Sequence, residues 1–216
     1  MNLPISIIAL SFGTAIFPKI SKDIQNIQTA GFESSLKDSI VITLLLFIPI
    51  FYLFHFFGEE IVSVLLQRGQ FTESHAKTTA DSLMYFNFGV IFYSVYLLFN
   101  RVLYGAGLIK QLLIITILGI ILKITLNNVL VRKMDYNGLA FSTTLSYLFF
   151  FLSSALIIFR NFKFKWVLIS LFEFILLFGN GFISLTITNY ILNDFIFNGL
   201  LFTIINVLLF VGIYLL

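Results

Sequence analysis

The sequence has few charged residues and no cysteine. Asp, Glu, Lys and Arg make up 11% of its 216 residues, whereas water-soluble domains carry roughly 25%. With so few charges, most of the surface of a soluble domain would be apolar, which excludes that class of protein. The absence of cysteine excludes disulfides and thiolate metal sites. The net charge of +3 includes no basic cluster, so we predict no nucleic-acid partner.

Apolar residues make up 59% of the chain, and the mean hydropathy is +1.03. A transmembrane helix needs roughly 20 mostly apolar residues, because the hydrocarbon core of a bilayer is about 30 Å thick. Short polar connectors separate seven apolar segments, and no shift in composition marks a second domain. We therefore predict an all-α polytopic transmembrane helix bundle of about seven spans, with residues 1–216 forming one domain. The segments are Leu3–Phe17, Ser39–Phe57, Ser82–Ala106, Leu108–Val131, Leu139–Phe159, Val167–Tyr190 and Phe195–Leu216.

The first and last segments indicate a larger assembly. About 15 residues precede Pro18, and they cover only about 23 Å as a helix, which is too short to cross a bilayer. The last segment is apolar to Leu216, with no charged anchor after it. We expect the chain to be part of a larger bundle.

The distribution of Lys and Arg predicts the orientation of the chain in the membrane. If the loop after the first segment is cytoplasmic, seven of these cations lie on the cytoplasmic side and four lie outside. We therefore expect a cysteine introduced at Thr72 to react with a membrane-impermeant thiol reagent on intact cells, and one at Asn26 to stay unlabelled. Labelling at Asn26 alone would reverse the orientation.

Three ionisable residues lie inside predicted spans, where a charge is costly and therefore a candidate for function. The first, Arg101, continues a polar stripe with Asn87 and Ser94, spaced every seven residues, so we expect this stripe to face the bundle interior. The alternative is that Arg101 lies near the helix end and extends to the headgroups. Both interpretations stay open.

The other two are Lys123 and Glu173. Lys123 shares a helix face with Asn127, and it either faces a cavity for an anionic substrate or reaches the outer interface. Glu173 heads a similar stripe with Asn180, which suits helix association by hydrogen bonds better than a proton relay. The candidates for a substrate cavity are therefore Arg101, Asn87, Ser94, Lys123, Asn127, Glu173 and Asn180.

No catalytic constellation can be assembled from the sequence. His55 and His75 lack a partner at metal-ligand spacing, and Glu59 and Glu60 are adjacent and diverge on a helix. We predict no enzyme activity, metal site or cofactor. The same region does predict a short amphipathic helix from Glu59 to Leu66 on the outer surface, before Gly69.

A distinctive motif lies directly after this helix. Residues 65–72 read Leu-Leu-Gln-Arg-Gly-Gln-Phe-Thr, and residues 12–21 read Phe-Gly-Thr-Ala-Ile-Phe-Pro-Lys-Ile-Ser. In order and spacing the chain resembles the MurJ/MviN lipid II flippases, within the superfamily of multidrug, oligosaccharidyl-lipid and polysaccharide flippases. The motif loop that carries this resemblance consists of Gln67, Arg68, Gly69, Phe71 and Thr72. Supporting matches are Ala80, Leu83, Gly89, Arg101, Tyr104 and Gly138-Leu139-Ala140.

The resemblance implies that the chain is helices eight to fourteen of a fourteen-helix flippase in the bacterial cytoplasmic membrane. It implies alternating-access transport of lipid II, or a similar polyprenyl-diphosphate lipid, from the inner to the outer leaflet. The helices formed by residues 167–216 would provide a groove for the lipid tail. The family's headgroup-binding arginines belong to an N-terminal half that precedes Met1, so a partner carrying that half is expected. The resemblance assigns no role to Lys123.

Two hypotheses about the function stay open at this point. The chain is either the C-terminal part of such a flippase, from a fragment or a split gene, or a non-transporting membrane subunit or relic. A related polysaccharide-lipid flippase or drug exporter is a further alternative, which the Arg-Gly-x-Phe-Thr loop disfavours.

Overall fold

The computed structural model describes residues 30–162, 175–184 and 186, and every element in this part of the chain is helical. We number the helices α1 to α5. They are α1 (Ala30–Phe56), α2 (Gly58–Leu66), α3 (Glu73–Gly105), α4 (Ile109–Phe162) and α5 (Ile175–Ser184). Three of them, α1, α3 and α4, are long and apolar enough to cross a membrane.

Helix α4 is a hairpin of two antiparallel arms. Its helical backbone is interrupted at Asp135, where φ is 48° and ψ is −129°. Positive φ is uncommon outside glycine, so this residue marks a sharp break between two helical segments. The Ser142 hydroxyl on the second arm donates a hydrogen bond to Asn127 Oδ1 on the first. Each arm covers roughly 39 Å at about 1.5 Å per residue, so each is long enough to span a bilayer.

The described helices confirm four of the predicted spans, which lie in α1, α3 and the two arms of α4. The starts differ from prediction, because α1 begins at Ala30 rather than Ser39 and α3 begins at Glu73 rather than Ser82. Charged and polar residues interrupt both additional stretches, with Glu33, Lys37 and Asp38 in α1, so hydropathy alone does not place these stretches in a helix. The predicted segments Leu3–Phe17 and Phe195–Leu216 lie outside the described residues.

The predicted amphipathic helix is confirmed as α2, and its position on the outer surface stays a prediction. Val62 is buried against Ala76 and Ala80 of α3, whereas Leu65 and Leu66 are 61% and 49% exposed. Glu59 and Glu60 lie in the first turn of α2, where their negative charge interacts favourably with the helix dipole and stabilises the helix.

The connection between α3 and α4 reverses the chain tightly. Gly107 has a φ of +74°, its N–H donates to Tyr104 O, and the Leu108 N–H donates to Leu103 O. These two bonds form a Schellman motif, which ends a helix with a residue in the left-handed region. The connection sets α3 and the first arm of α4 antiparallel.

The main core lies between α1 and α3. Its fully buried members include Phe32, Leu36, Ile48, Val102 and Leu103, and Ile158 of α4 packs against them. The first arm of α4 instead exposes a face of leucines and isoleucines, including Leu113, Ile117 and Ile124. A continuous apolar face of this kind requires lipid or further helices around it. The described part of the chain is thus a transmembrane helix bundle.

Candidate functional site

The polar stripe on α3 faces the bundle interior over most of its length. Asn87 is 2% exposed and Ser94 is 3% exposed. Asn87 Nδ2 donates a hydrogen bond of 2.7 Å to the Phe51 carbonyl of α1. The Ser94 hydroxyl donates to the Ile91 carbonyl of its own helix, also at 2.7 Å. Asn87 therefore links α3 to α1, whereas the Ser94 hydroxyl is hydrogen-bonded within α3.

This difference predicts unequal effects of removing the two polar groups. We expect Asn87→Leu to lower the free energy of unfolding in detergent by about 1 kcal/mol, because it deletes an interhelical hydrogen bond. We expect Ser94→Ala, the matched change on the same stripe, to cost less than half of that. Thermal unfolding followed by size-exclusion fluorescence measures both. Equal losses would show that the bond to Phe51 does not stabilise the bundle.

Arg101 and Lys123 are both half-buried but lie on different helices. Arg101 is on the last turns of α3, near the α3–α4 connection. Lys123 is on the first arm of α4, close to residues that pair the two arms. Asn127, one turn farther along that arm, accepts the hydrogen bond from Ser142. The structure therefore places the two cations on separate helices and does not join them into one cluster.

The predicted polar stripe around Glu173 is described in part. Glu173 lies outside the described residues, while Asn180 lies on α5 and is exposed. The buried Ser184 hydroxyl donates 2.8 Å to the Asn180 carbonyl. Helix α5 packs on α1, since the Tyr52 hydroxyl donates 2.8 Å to the Phe178 carbonyl. The roles of the seven predicted cavity residues in substrate binding stay predictions.

The motif loop is a helix-initiating structure. Gly69 has a φ of +57°, which glycine adopts without steric cost. Phe71 packs with Ala76 in one cluster, the contact that fixes the entry of a chain into a helix. Thr72 is the N-cap of α3, and its backbone N–H donates to His75 Nδ1 at 3.2 Å. These three motif residues have structural duties, which leaves Gln67 and Arg68 as its exposed polar side chains.

A cavity of about 820 Å³ opens beside this loop. We call it the distal cavity, since it lies at the end of the bundle that holds α2, the loop and the α4 tip. Ser82 of α3 donates 2.9 Å to Asn137 Oδ1 of α4 and thereby joins the two helices at this end. The lining residues are Arg68, Gln70, Phe71, His75, Thr78, Thr79, Ser82 and Tyr136.

The sequence pattern indicates the motif but not the cavity. Tyr136 is more than sixty positions from Arg68, and no local pattern links them. A run of polar residues in the first turns of α3 is the signal that could have indicated a site here. This run is longer than a connection between two helices requires. Within the described residues, no group of three or more His, Asp or Glu side chains is placed to hold a metal ion.

The comparisons with known proteins agree on one family. The profile of the family described as lipid II flippase MurJ matches residues 1–204. Two similar proteins are named probable lipid II flippase MurJ. The one from Borreliella burgdorferi is 28% identical over 147 residues, covering 68% of this chain and 29% of that protein. The one from Rickettsia prowazekii is 27% identical over 145 residues, covering 67% of this chain and 29% of that protein.

A solved structure shares the fold. It is described as lipid II flippase MurJ in an inward closed conformation, and it matches 99% of this chain with a TM-score of 0.83 at 24% sequence identity. The match covers 43% of that protein, and the matched region is 29% of each of the two curated relatives above. Since the family profile extends over nearly the entire sequence, the chain belongs to the lipid II flippase MurJ family.

Proposed function

We propose that the chain is the C-terminal part of a lipid II flippase, which moves its substrate from the inner to the outer leaflet by alternating access. The observation that carries this proposal is the family match over residues 1–204. The helix bundle agrees with it, because the fold matches a solved flippase over 99% of the chain. In this role the chain is a transporter component of the bacterial cytoplasmic membrane and performs no covalent chemistry.

The complete transporter requires helices that this chain does not supply. The solved structure is more than twice the length that the chain covers. The apolar face on the first arm of α4, with Leu113, Ile117 and Ile124 exposed, suits contact with lipid or with those helices. Residues 167–216 would form the groove for the lipid tail, and of these the structure describes 175–184 and 186.

Arg101 is the cation that we assign to the transport cycle. It continues the stripe of Asn87 and Ser94 and belongs to the family resemblance, whereas Lys123 does not. An Arg guanidinium binds phosphate oxygens with two parallel hydrogen bonds, which suits a diphosphate lipid. Lys123 instead lies near Asn127, which pairs the two arms of α4, so we assign it a structural role there.

A transport assay with matched variants tests this assignment. In the complete transporter, with the N-terminal helices restored, we expect Arg101→Ala to lower lipid II translocation at least about tenfold, the effect of losing one charge-assisted contact. Lys123→Ala should retain most of the activity at equal membrane levels. Loss of transport in Lys123→Ala alone would reverse the ranking. Absence of translocation by the unmodified complete transporter would reject the proposed function.

A further inference from the structure

The distal cavity offers hydrogen-bond donors without a carboxylate to compete for them. Arg68 brings a guanidinium with five N–H donors, and Gln70 brings an amide. His75 Nδ1 accepts the Thr72 backbone N–H at 3.2 Å, which places the ring proton on Nε2 and makes that atom a donor. Tyr136 adds a phenol. No Asp or Glu belongs to the lining of this described cavity.

The remaining hydroxyls of the cavity are already used as donors. Thr78 donates to the Ser74 carbonyl at 3.0 Å and Thr79 to the His75 carbonyl at 2.8 Å. Ser82 donates to Asn137. The free donors are therefore concentrated on the four groups above, one of which is cationic. Such a set favours a ligand that presents several acceptor oxygens and a negative charge.

The walls of the cavity indicate the source of that anion. Phe71 and Tyr136 give it an apolar aromatic lining beside Arg68, which a free and strongly hydrated phosphate does not require. Next to it, α2 exposes Leu65 and Leu66, as expected of an amphipathic helix at a membrane surface. The volume of about 820 Å³ falls within the usual range for small-ligand sites, about 300 to 1,000 Å³.

We propose that the distal cavity binds the phosphate group of an anionic phospholipid at this surface of the membrane. Arg68 and His75 Nε2 contact the phosphate oxygens, the aromatic rings contact the glycerol and upper acyl carbons, and α2 lies beside the lipid tails. Binding here involves no transport step, so it is separate from the proposed flippase function.

Native mass spectrometry of the purified 216-residue chain tests this site with dioleoylphosphatidylglycerol as the probe. We expect the wild type to retain the lipid, and Arg68→Gln to weaken retention about fivefold, the effect of one cation at a membrane surface. Lys77→Gln is the matched control, because Lys77 is exposed on the same first turns of α3 and does not line the cavity. It should bind as the wild type does.

A second variant keeps every charge and fills the space. Thr78→Phe places a ring in the cavity, and we expect it to weaken retention as strongly as Arg68→Gln, with an unchanged size-exclusion profile. An excess of glycerol 1-phosphate should not displace the lipid. Equal losses in Lys77→Gln and Arg68→Gln would show a general charge effect and overturn the site. Displacement by glycerol 1-phosphate would identify a free phosphate ester as the ligand and overturn the lipid assignment.

Discussion

The isolated 216-residue chain is expected not to support growth of bacteria depleted of their own lipid II flippase. A lipid with a diphosphate headgroup needs compensating cations while it crosses about 30 Å of hydrocarbon, because unpaired charge in an apolar medium costs many kcal/mol. Among the cations in the described part of the chain, Arg101 and Lys123 lie deepest within the predicted apolar segments, and they are on separate helices. Two separated cations offset a diphosphate poorly.

Supplying the family's N-terminal helices, fused to the chain or as a second polypeptide, should restore growth. The measurement is the number of colonies after depletion, with the membrane level of the chain checked by immunoblot. A matched control supplies the N-terminal helices without this chain, which should also give no colonies. Growth with the chain alone at a normal membrane level would show that the proposed need for further helices is mistaken.

Gly138→Ala is expected to lower the free energy of unfolding by about 3 kcal/mol, the upper range for overpacking a core. A Cβ at Gly138 would lie 2.4 Å from the Leu130 carbonyl oxygen and 2.8 Å from the Val131 nitrogen. These are backbone atoms of the opposite α4 arm, so relief requires the two arms to separate near their tip. For a chain of this size the change corresponds to a melting temperature lower by roughly 6 to 12 °C.

The same substitution at Gly179 provides the control. No atom lies within 4 Å of a Cβ placed there, and alanine favours a helix over glycine by about 1 kcal/mol. We therefore expect Gly179→Ala to match or exceed the wild type when both variants are heated in the same detergent. A Gly138→Ala variant that melts with the wild type would contradict the close packing at the tip of the α4 hairpin.

Hydropathy predicted the spans in α1, α3 and both arms of α4 because the bilayer imposes a minimum apolar length on any helix that crosses it. It misplaced the helix starts, since Glu73 to Asp81 is helical yet polar. Residues that lie beyond the hydrocarbon need no apolar side chains. A hydropathy profile reports depth in the membrane and not the extent of a helix.

The seven-residue spacing predicted that Asn87 and Ser94 face inward, because residues at that interval share one side of a helix. It could not tell which of them joins a neighbouring helix. That depends on the Phe51 carbonyl of α1, which lies 36 positions from Asn87 along the chain and within 2.7 Å of its side-chain nitrogen.

The sequence by itself determined that this is a membrane protein, how long its apolar spans are, and which family its motif loop resembles. These properties follow from composition and local order, which lipid and helix geometry constrain directly. The tertiary structure decided that Asp135 is the tip of a hairpin, that Gly69, Phe71 and Thr72 start α3, and that Tyr136 meets Arg68 at one cavity. These depend on which helices pack together, and contacts between distant residues are fixed by packing rather than by any local pattern.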